Sequence, residues 1–122
     1  MSRPARLKAQ RRGLAAETLC CWWLRMKGYR VLERRAKTPV GEIDILARRG
    51  SVLAVIEVKR RNSRDDAGGA IGWEQRRRLS RAARWLLAGR PHWAGLSLRF
   101  DAMLVAPWRL PRHVAGAWME DE

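Results

Sequence analysis

Four charged residues interrupt two otherwise apolar stretches of the sequence: Glu42, Asp44, Glu57 and Lys59. Twelve residues separate Asp44 from Glu57, and the lysine follows Glu57 with one valine between them. Carboxylates held close together in a partly buried place repel each other, and Mg²⁺ or Mn²⁺, which prefer oxygen ligands, remove that penalty. A lysine ammonium beside such a pair can stabilise charge near an attacking water or a phosphoryl oxygen. These residue types predict a divalent-metal site suited to phosphodiester hydrolysis.

A β-hairpin must hold these residues. The segments EIDILAR (residues 42–48) and SVLAVIEVKR (residues 51–60) are rich in the residue types of strands, and a short polar turn joins them. If Arg49 and Gly50 form a two-residue turn, Arg48 pairs with the serine that follows the turn.

This pairing predicts where the charges lie. It sets Asp44 opposite Val55 and Glu42 opposite Glu57, and it places Lys59 on the same face, because alternate residues of a strand share a face. Asp44 and Glu57 then become diagonal neighbours, roughly 7–8 Å apart at the backbone. A shift of one residue would send these two carboxylates to opposite faces of the sheet.

A third carboxylate comes from the first predicted helix, residues 6–27. Leu14, Glu17, Cys21 and Leu24 follow the period of one helix face. An acid on an otherwise apolar face is costly unless it is paired or binds a metal. Glu17 is therefore a candidate to assist the metal site.

A simpler interpretation of Glu57 and Lys59 is an ion pair along one strand. The matching face of Asp44, the position of Glu17 and the surplus of positive charge favour the metal site. Glu42 stays ambiguous: it can end the strand, pair with an arginine or support the ligands from outside.

The remaining elements complete the fold prediction. The sequence patterns predict a strand at residues 29–35, an irregular loop at 61–70, a helix at 71–88, a strand from Ser97 that Pro107 ends, and one helical turn at residues 113–118. The order is helix, three strands, helix, strand. We expect an α/β domain with a mixed sheet flanked by helices.

Size and composition narrow the class of protein. The chain has 122 residues, the size of a single domain spanning 1–122. Its two cysteines, Cys20 and Cys21, are adjacent, so we expect no disulfide and a reducing compartment. No apolar run approaches the roughly 20 residues that span a membrane. We expect a cytoplasmic protein.

The net charge of +14, from 26 basic and 12 acidic residues, favours a polyanionic partner. Nucleic acid is the first choice and an anionic membrane surface the second. A genome rich in GC would explain the preference for arginine over lysine but not the scarcity of acids. The candidate contacts, which a solvated basic face would also explain, are Arg60, Arg61, Arg76, Arg77, Arg81, Arg84 and Trp73, the last by stacking on an unpaired base.

Three residues near the end of the chain receive structural predictions. Trp108 and Trp118 are expected to pin the tail to the body of the domain. Asp101 is expected to pair with an arginine at the edge of the core and not to act as a further metal ligand.

The sequence resembles the PD-(D/E)xK nuclease superfamily, and within it the bacterial YraN-like family. The superfamily motif is an acid, a spacer, and then acid-x-lysine, matched here by Asp44 and Glu57-Val58-Lys59. The family resemblance covers nearly the whole chain and rests on six segments in order: GLAAE, GYRVLERR, GEIDILA, VIEVKRR, QRRRLSRAARWLLA and RFDAMLV. The layout is also similar to that of archaeal Holliday junction resolvases.

The resemblance implies a restriction-endonuclease-like fold and a nuclease that uses Mg²⁺ or Mn²⁺ on DNA, including branched or damaged DNA. It implies that Glu17, Asp44, Glu57 and Lys59 occupy active-site positions. Gln75, at the start of the second helix, matches a position where related nucleases often carry a polar residue. Enzymes of similar layout act as dimers, so a homodimer is compatible with the resemblance. The alternative is a non-catalytic nucleic-acid-binding module with the same fold.

Overall fold

The computed structural model describes residues 3–60 and 72–118, with side chains from residue 13 onward. Two helices and five strands make up the fold. In chain order they are α1 (Arg3–Met26), β1 (Arg30–Thr38), β2 (Gly41–Arg49), β3 (Val52–Arg60), α2 (Trp73–Ala88), β4 (Ser97–Val105) and β5 (Arg112–Trp118), with one 3₁₀ turn (Pro91–Trp93) before β4.

The strands form one sheet in the order β1-β2-β3-β4-β5. Strands β3 and β4 are parallel and all other neighbours are antiparallel. The parallel pair requires a crossover, and α2 lies in that connection. Helix α1 contributes Cys20, Cys21 and Leu24 to the core on one face, and α2 contributes Leu79 and Leu86 to the core on the other. The predicted α/β fold, a mixed sheet flanked by helices, is confirmed.

The hairpin of β2 and β3 is shifted by two residues from the predicted pairing. Arg49 pairs with Val52 and Leu46 with Val55, so Gly50 and Ser51 form the turn. Glycine fits the first turn position because its φ of 60° is strained for other residues. A shift of two residues keeps every side chain on its face.

The tail forms a strand, so the predicted helical turn at residues 113–118 is wrong. Strand β5 pairs with β4, Trp118 opposite Phe100 and Val114 opposite Ala102. The open edge of β4 offers backbone hydrogen bonds that a single helical turn could not replace. Trp118 is buried and stacks on Phe100, as expected of a residue that holds the tail, whereas Trp108 is fully exposed and does not pin it.

The helix boundaries follow their local signals. Helix α1 ends at Met26, and Gly28 follows with a φ of 90°, a conformation that favours glycine. Helix α2 begins at Trp73, whereas residue 71 and the predicted loop 61–70 lie outside the described residues. Cys20 and Cys21 are free and buried. Within residues 3–60 and 72–118, no helix is long and apolar enough to cross a membrane.

Candidate active site

Asp44 and Glu57 lie next to each other where β2 and β3 stop pairing. The last paired residues are Ile45 and Ile56, and the two acids follow them directly on the two strands. The Oδ2 atom of Asp44 accepts a hydrogen bond of 2.8 Å from the backbone N–H of Val58. The side chain of Asp44 thus reaches towards β3 and lies against the carboxyl group of Glu57.

The two carboxyl groups hold protons more tightly than exposed acids do. Burial, and then the negative charge of Asp44, raise the pKa of Glu57 to about 7, against a lowering effect of Lys59. Burial also raises the pKa of Asp44, although the Val58 N–H lowers it. The negative charge of Asp44 thus favours the protonated form of Glu57 up to about neutral pH.

Lys59 and Gln75 close one side of this pair. The Nζ atom of Lys59 lies 3.4 Å from Oε1 of Glu57 and donates a 3.1 Å hydrogen bond to Oε1 of Gln75. The Nε2 atom of Gln75 donates to the same Glu57 oxygen. Gln75 is in the first turn of α2, so the crossover helix delivers it to the end of β3. The arrangement fixes the position of the ammonium beside the carboxylates.

Glu17 is buried on α1 but is held by arginines. Both of its carboxylate oxygens accept from Nε of Arg35, at 3.1 and 3.0 Å, and Nη2 of Arg34 lies 3.8 Å away. Its charge contributes to the raised pKa of Asp44, so the two acids are electrostatic neighbours. The structure brings Asp44, Glu57, Lys59 and Gln75 into direct contact and leaves Glu17 beside them in an ion pair.

Arg35 was not among the residues predicted at the site, yet it is the main partner of Glu17. This residue has a φ of 51°, in a strand that also carries an irregularity between Val31 and Glu33. Arg34 donates to Thr18 of α1 at 3.0 Å, so consecutive residues of β1 both reach the same helix. Strict alternation excludes this, and no signal in the sequence marks it.

The carboxylates of the candidate site provide part of the ligand set that Mg²⁺ or Mn²⁺ needs. Among residues 3–60 and 72–118, no group of three or more Asp, Glu, His or Cys residues is placed to hold a metal. Buried Glu57 and half-buried Asp44 are nevertheless a favourable pair for Mg²⁺ or Mn²⁺, which often use few protein ligands and complete their shell with water and phosphate. A cation there would offset the repulsion between the two ionised carboxylates. Glu42 is exposed at the start of β2 and contributes only its charge.

The outer face of α2 is basic. The guanidinium of Arg77 lies 4.8 Å from the ring centre of Trp73, which is 58% exposed. Arg81 and Arg84 are also exposed, and Arg76 is half-buried. Glu74 is the one acid of the helix. The predicted nucleic-acid contacts on this helix therefore share one element with Gln75.

Arginines outside the outer face of α2 lie near both strands of the hairpin. Arg60 is exposed at the end of β3, directly after Lys59. Arg61 lies outside the described residues. Arg78 crosses over the start of β2, where a Cβ atom on Gly41 would lie 2.9 Å from the arginine Cδ.

Asp101 belongs to a separate buried network. It is fully buried and receives two hydrogen bonds from Arg99, of 2.8 and 2.7 Å, one from His113 and one from the backbone of Gly116. Burial alone would raise its pKa, but the hydrogen bonds of His113 and Arg99 lower it below the usual range of an aspartate. The prediction of an arginine partner is confirmed, and His113 was the partner that sequence reasoning missed.

Comparison with known proteins gives consistent matches over most of the chain. The model of the Uncharacterised protein family UPF0102 matches residues 16–105. A UPF0102 protein of Parvibaculum lavamentivorans is 57% identical over 112 residues, covering 92% of this chain and 84% of the relative. A UPF0102 protein of Paramagnetospirillum magneticum is 49% identical, covering 93% and 91%, and one of Caulobacter vibrioides is 49% identical, covering 90% and 88%.

Proposed function

The chain belongs to the UPF0102 protein family, and from the geometry of its carboxylate pair we propose that it is a divalent-metal-dependent nuclease acting on DNA. The observation that carries the proposal is the contact between Asp44 and Glu57, with Lys59 at 3.4 Å from Glu57. A buried glutamate next to a half-buried aspartate is unfavourable for stability alone, which argues for a chemical role.

Asp44 and Glu57 would hold the cation. It would supply polarisation of a phosphodiester and a lowered pKa for bound water. Glu57, whose pKa is raised to about 7, would lose its proton on binding the cation, because metal ligation requires the carboxylate form. The Val58 N–H holds one oxygen of Asp44 in place by a 2.8 Å hydrogen bond.

Lys59 would stabilise negative charge that develops on the phosphoryl group. Glu57 and Gln75 both contact its ammonium and fix the direction of the side chain. The amide of Gln75 is neutral, so this contact leaves the positive charge in place. Glu17 would act through its charge, because Arg35 occupies both of its oxygens. Gln75 is in this account a positioning residue for Lys59.

The basic face of α2 would bind the phosphate backbone. Arginine guanidinium groups on one helix face suit contacts with successive phosphates, and this face continues from the turn that carries Gln75. Substrate binding and the carboxylate pair are thereby linked through one helix.

A non-catalytic nucleic-acid-binding module is the second candidate. It is favoured by the acids at the site, since among residues 3–60 and 72–118 no third acid joins Asp44 and Glu57 to hold a metal, and Glu17 is held by arginines. In that case the positive charge of the molecule binds nucleic acid, and no phosphodiester is hydrolysed.

Cleavage assays with Lys59→Ala separate the two candidates. Branched, single-stranded and duplex DNA are incubated with the wild type and the variant in Mg²⁺, Mn²⁺ or EDTA. We expect metal-dependent cutting by the wild type and a loss of about 100-fold or more in the variant, because a preorganised charge at the reacting group contributes about that much. DNA binding should change by less than about threefold, since one charge of many is lost.

Lys37→Ala is the matched control, because Lys37 is an exposed lysine of β1 and its removal changes the net charge equally. It should cut like the wild type. If both proteins bind DNA and no substrate is cut in either metal, the binding module is the correct description.

A further inference from the structure

Trp108 is an exposed aromatic residue in a strained turn. It lies in the connection between β4 and β5 and is fully exposed, with a relative accessibility of 102%. Its φ of 61° is in the left-handed region, which bulky residues seldom adopt. Neither the exposed indole nor this backbone conformation stabilises the free chain. A strained backbone that carries an exposed aromatic side chain marks a candidate contact with a partner.

The turn lies at the same end of the sheet as the candidate active site. Because β3 and β4 are parallel, their carboxyl ends meet, with Glu57 opposite Ala102 and Arg60 opposite Val105. The three residue steps from Ala102 to Val105 cover about 10 Å. Trp108 follows three residues later, so it lies within reach of a nucleic-acid strand that passes the carboxylate pair.

The backbone of the turn is restricted on both sides of Trp108. Pro107 precedes Trp108, and Pro111, which is buried, ends the turn. Proline restricts the backbone, so less backbone entropy is lost when the indole binds. Arg109 is exposed directly beside it and supplies positive charge for an adjacent phosphate.

We propose that Trp108 and Arg109 form a base-stacking subsite that binds an unpaired base of DNA next to the carboxylate pair. The inference rests on the proposed function and deepens it: it names DNA with unpaired bases as the substrate class. An indole stacks on any base that has left the duplex, whereas a base inside a continuous duplex has both faces covered. The subsite therefore distinguishes gapped or branched DNA from intact duplex.

Fluorescence polarisation tests the proposal in EDTA, so that binding is measured without cutting. Two labelled DNAs of equal length are compared, a continuous duplex and a duplex with a single-stranded gap. Trp108→Ala should weaken binding to the gapped DNA by about tenfold, the loss of one stacked base, and alter duplex binding by less than about twofold. Trp108→Phe should keep most of the affinity because it keeps an aromatic face.

Trp22→Ala is the control, because Trp22 is also an exposed tryptophan, at 63%, but lies on α1. Equal effects of the two alanine variants on gapped DNA, or equal losses by Trp108→Ala on both DNAs, would overturn the subsite while leaving DNA binding intact. If the wild type binds neither DNA, the proposed function fails and the subsite with it. Loss of binding to phosphatidylserine vesicles in Trp108→Ala, with gapped-DNA affinity unchanged, would assign the turn to a lipid surface and also overturn the proposal.

Discussion

Glu57 keeps its proton in the folded chain at pH values where an exposed glutamate has lost it. Its pKa is raised by burial, from 4.5 to about 7, whereas the unfolded chain retains an ordinary value. Between these values the folded state binds more protons, so the free energy of unfolding falls as pH rises. The stabilisation is complete below about pH 4.5 and is lost as pH passes about 7.

Glu57→Gln should remove this pH dependence. A neutral amide cannot ionise, so the variant should be more stable than the wild type at pH 8, by up to about 3 kcal/mol. Urea unfolding at pH 5 and pH 8 without metal measures the difference. Mn²⁺ should raise the stability of the wild type at pH 8 and not that of the variant. If the difference in stability between the wild type and Glu57→Gln is the same at both pH values, Glu57 does not have a raised pKa in the folded chain.

At the residue scale the sequence predicts contacts that depend on alternation and misses those that depend on an irregularity. The predicted register of the hairpin is wrong by two residues, an even number, so the prediction that Asp44 and Glu57 lie on the same face still holds. The partner of Glu17 could not be predicted in this way. Arg35 reaches it from a backbone with positive φ, and nothing in the residue types around it predicts that conformation.

At the scale of elements, a buried polar network joins β4, β5 and the end of α1. Asp101 on β4 accepts from Nε2 of His113 on β5 at 2.7 Å, and Lys27 donates to Nδ1 of the same ring at 2.6 Å. Arg99 donates both to Asp101 and to the hydroxyl of Tyr29, which follows α1. The carboxylate of Asp101 accepts hydrogen bonds from Arg99 and His113, so its charge stabilises the packing of the edge strand β5 against the rest of the fold.

Asp101→Asn should destabilise the protein by about 3 kcal/mol, because the half-buried Arg99 and the other donors to this buried carboxylate lose its negative charge. Since folding lowers the pKa of Asp101, the wild-type advantage is present at neutral pH and is lost as pH falls through the folded pKa. Urea unfolding at pH 7 measures it, with the exposed acid variant Glu42→Gln expected to change stability by less than about 0.5 kcal/mol. Limited proteolysis should then cut β5 first. Equal stabilities of the two variants would contradict the role given to this network.

Strand β5 was predicted as a helical turn because its sequence lacks regular alternation. Gly116 adopts a φ of 63° in this strand, beside an irregular pairing between Phe100 and Ala102. The strand forms because β4 would otherwise leave an open edge and because Trp118 finds a stacking partner on it. Both causes are tertiary, so no local pattern could predict them. The other helices and strands follow from periodicity and glycine positions, which are local.

At the scale of the molecule, three buried acids have basic partners and a row of arginines stays at the surface. Glu17, Glu57 and Asp101 are buried, each in contact with a basic side chain. The outer face of α2 exposes Arg77, Arg81 and Arg84, with Glu74 the one acid of the helix. Part of the net charge of +14 is thus concentrated on this face, which suits a polyanionic partner.

DNA binding should therefore weaken steeply with salt. Each phosphate contact releases condensed counterions, so the logarithm of the binding constant should fall linearly with the logarithm of the salt concentration, by about 0.9 per contact. With about four arginine contacts from α2, we expect a slope of about −4. Arg81→Ala should reduce its magnitude by about 1, because one contact is lost.

Arg30→Ala provides the comparison for this measurement, since Arg30 is exposed at the start of β1, at the opposite end of the sheet from Glu57. Fluorescence polarisation at a series of NaCl concentrations gives the slopes for the three proteins. The basic face of α2 is the DNA-binding surface only if Arg81→Ala changes the slope and Arg30→Ala does not. A flat salt response in the wild type would mean that the positive charge does not bind phosphates at all, because counterion release follows from charge neutralisation whatever the sequence of the DNA.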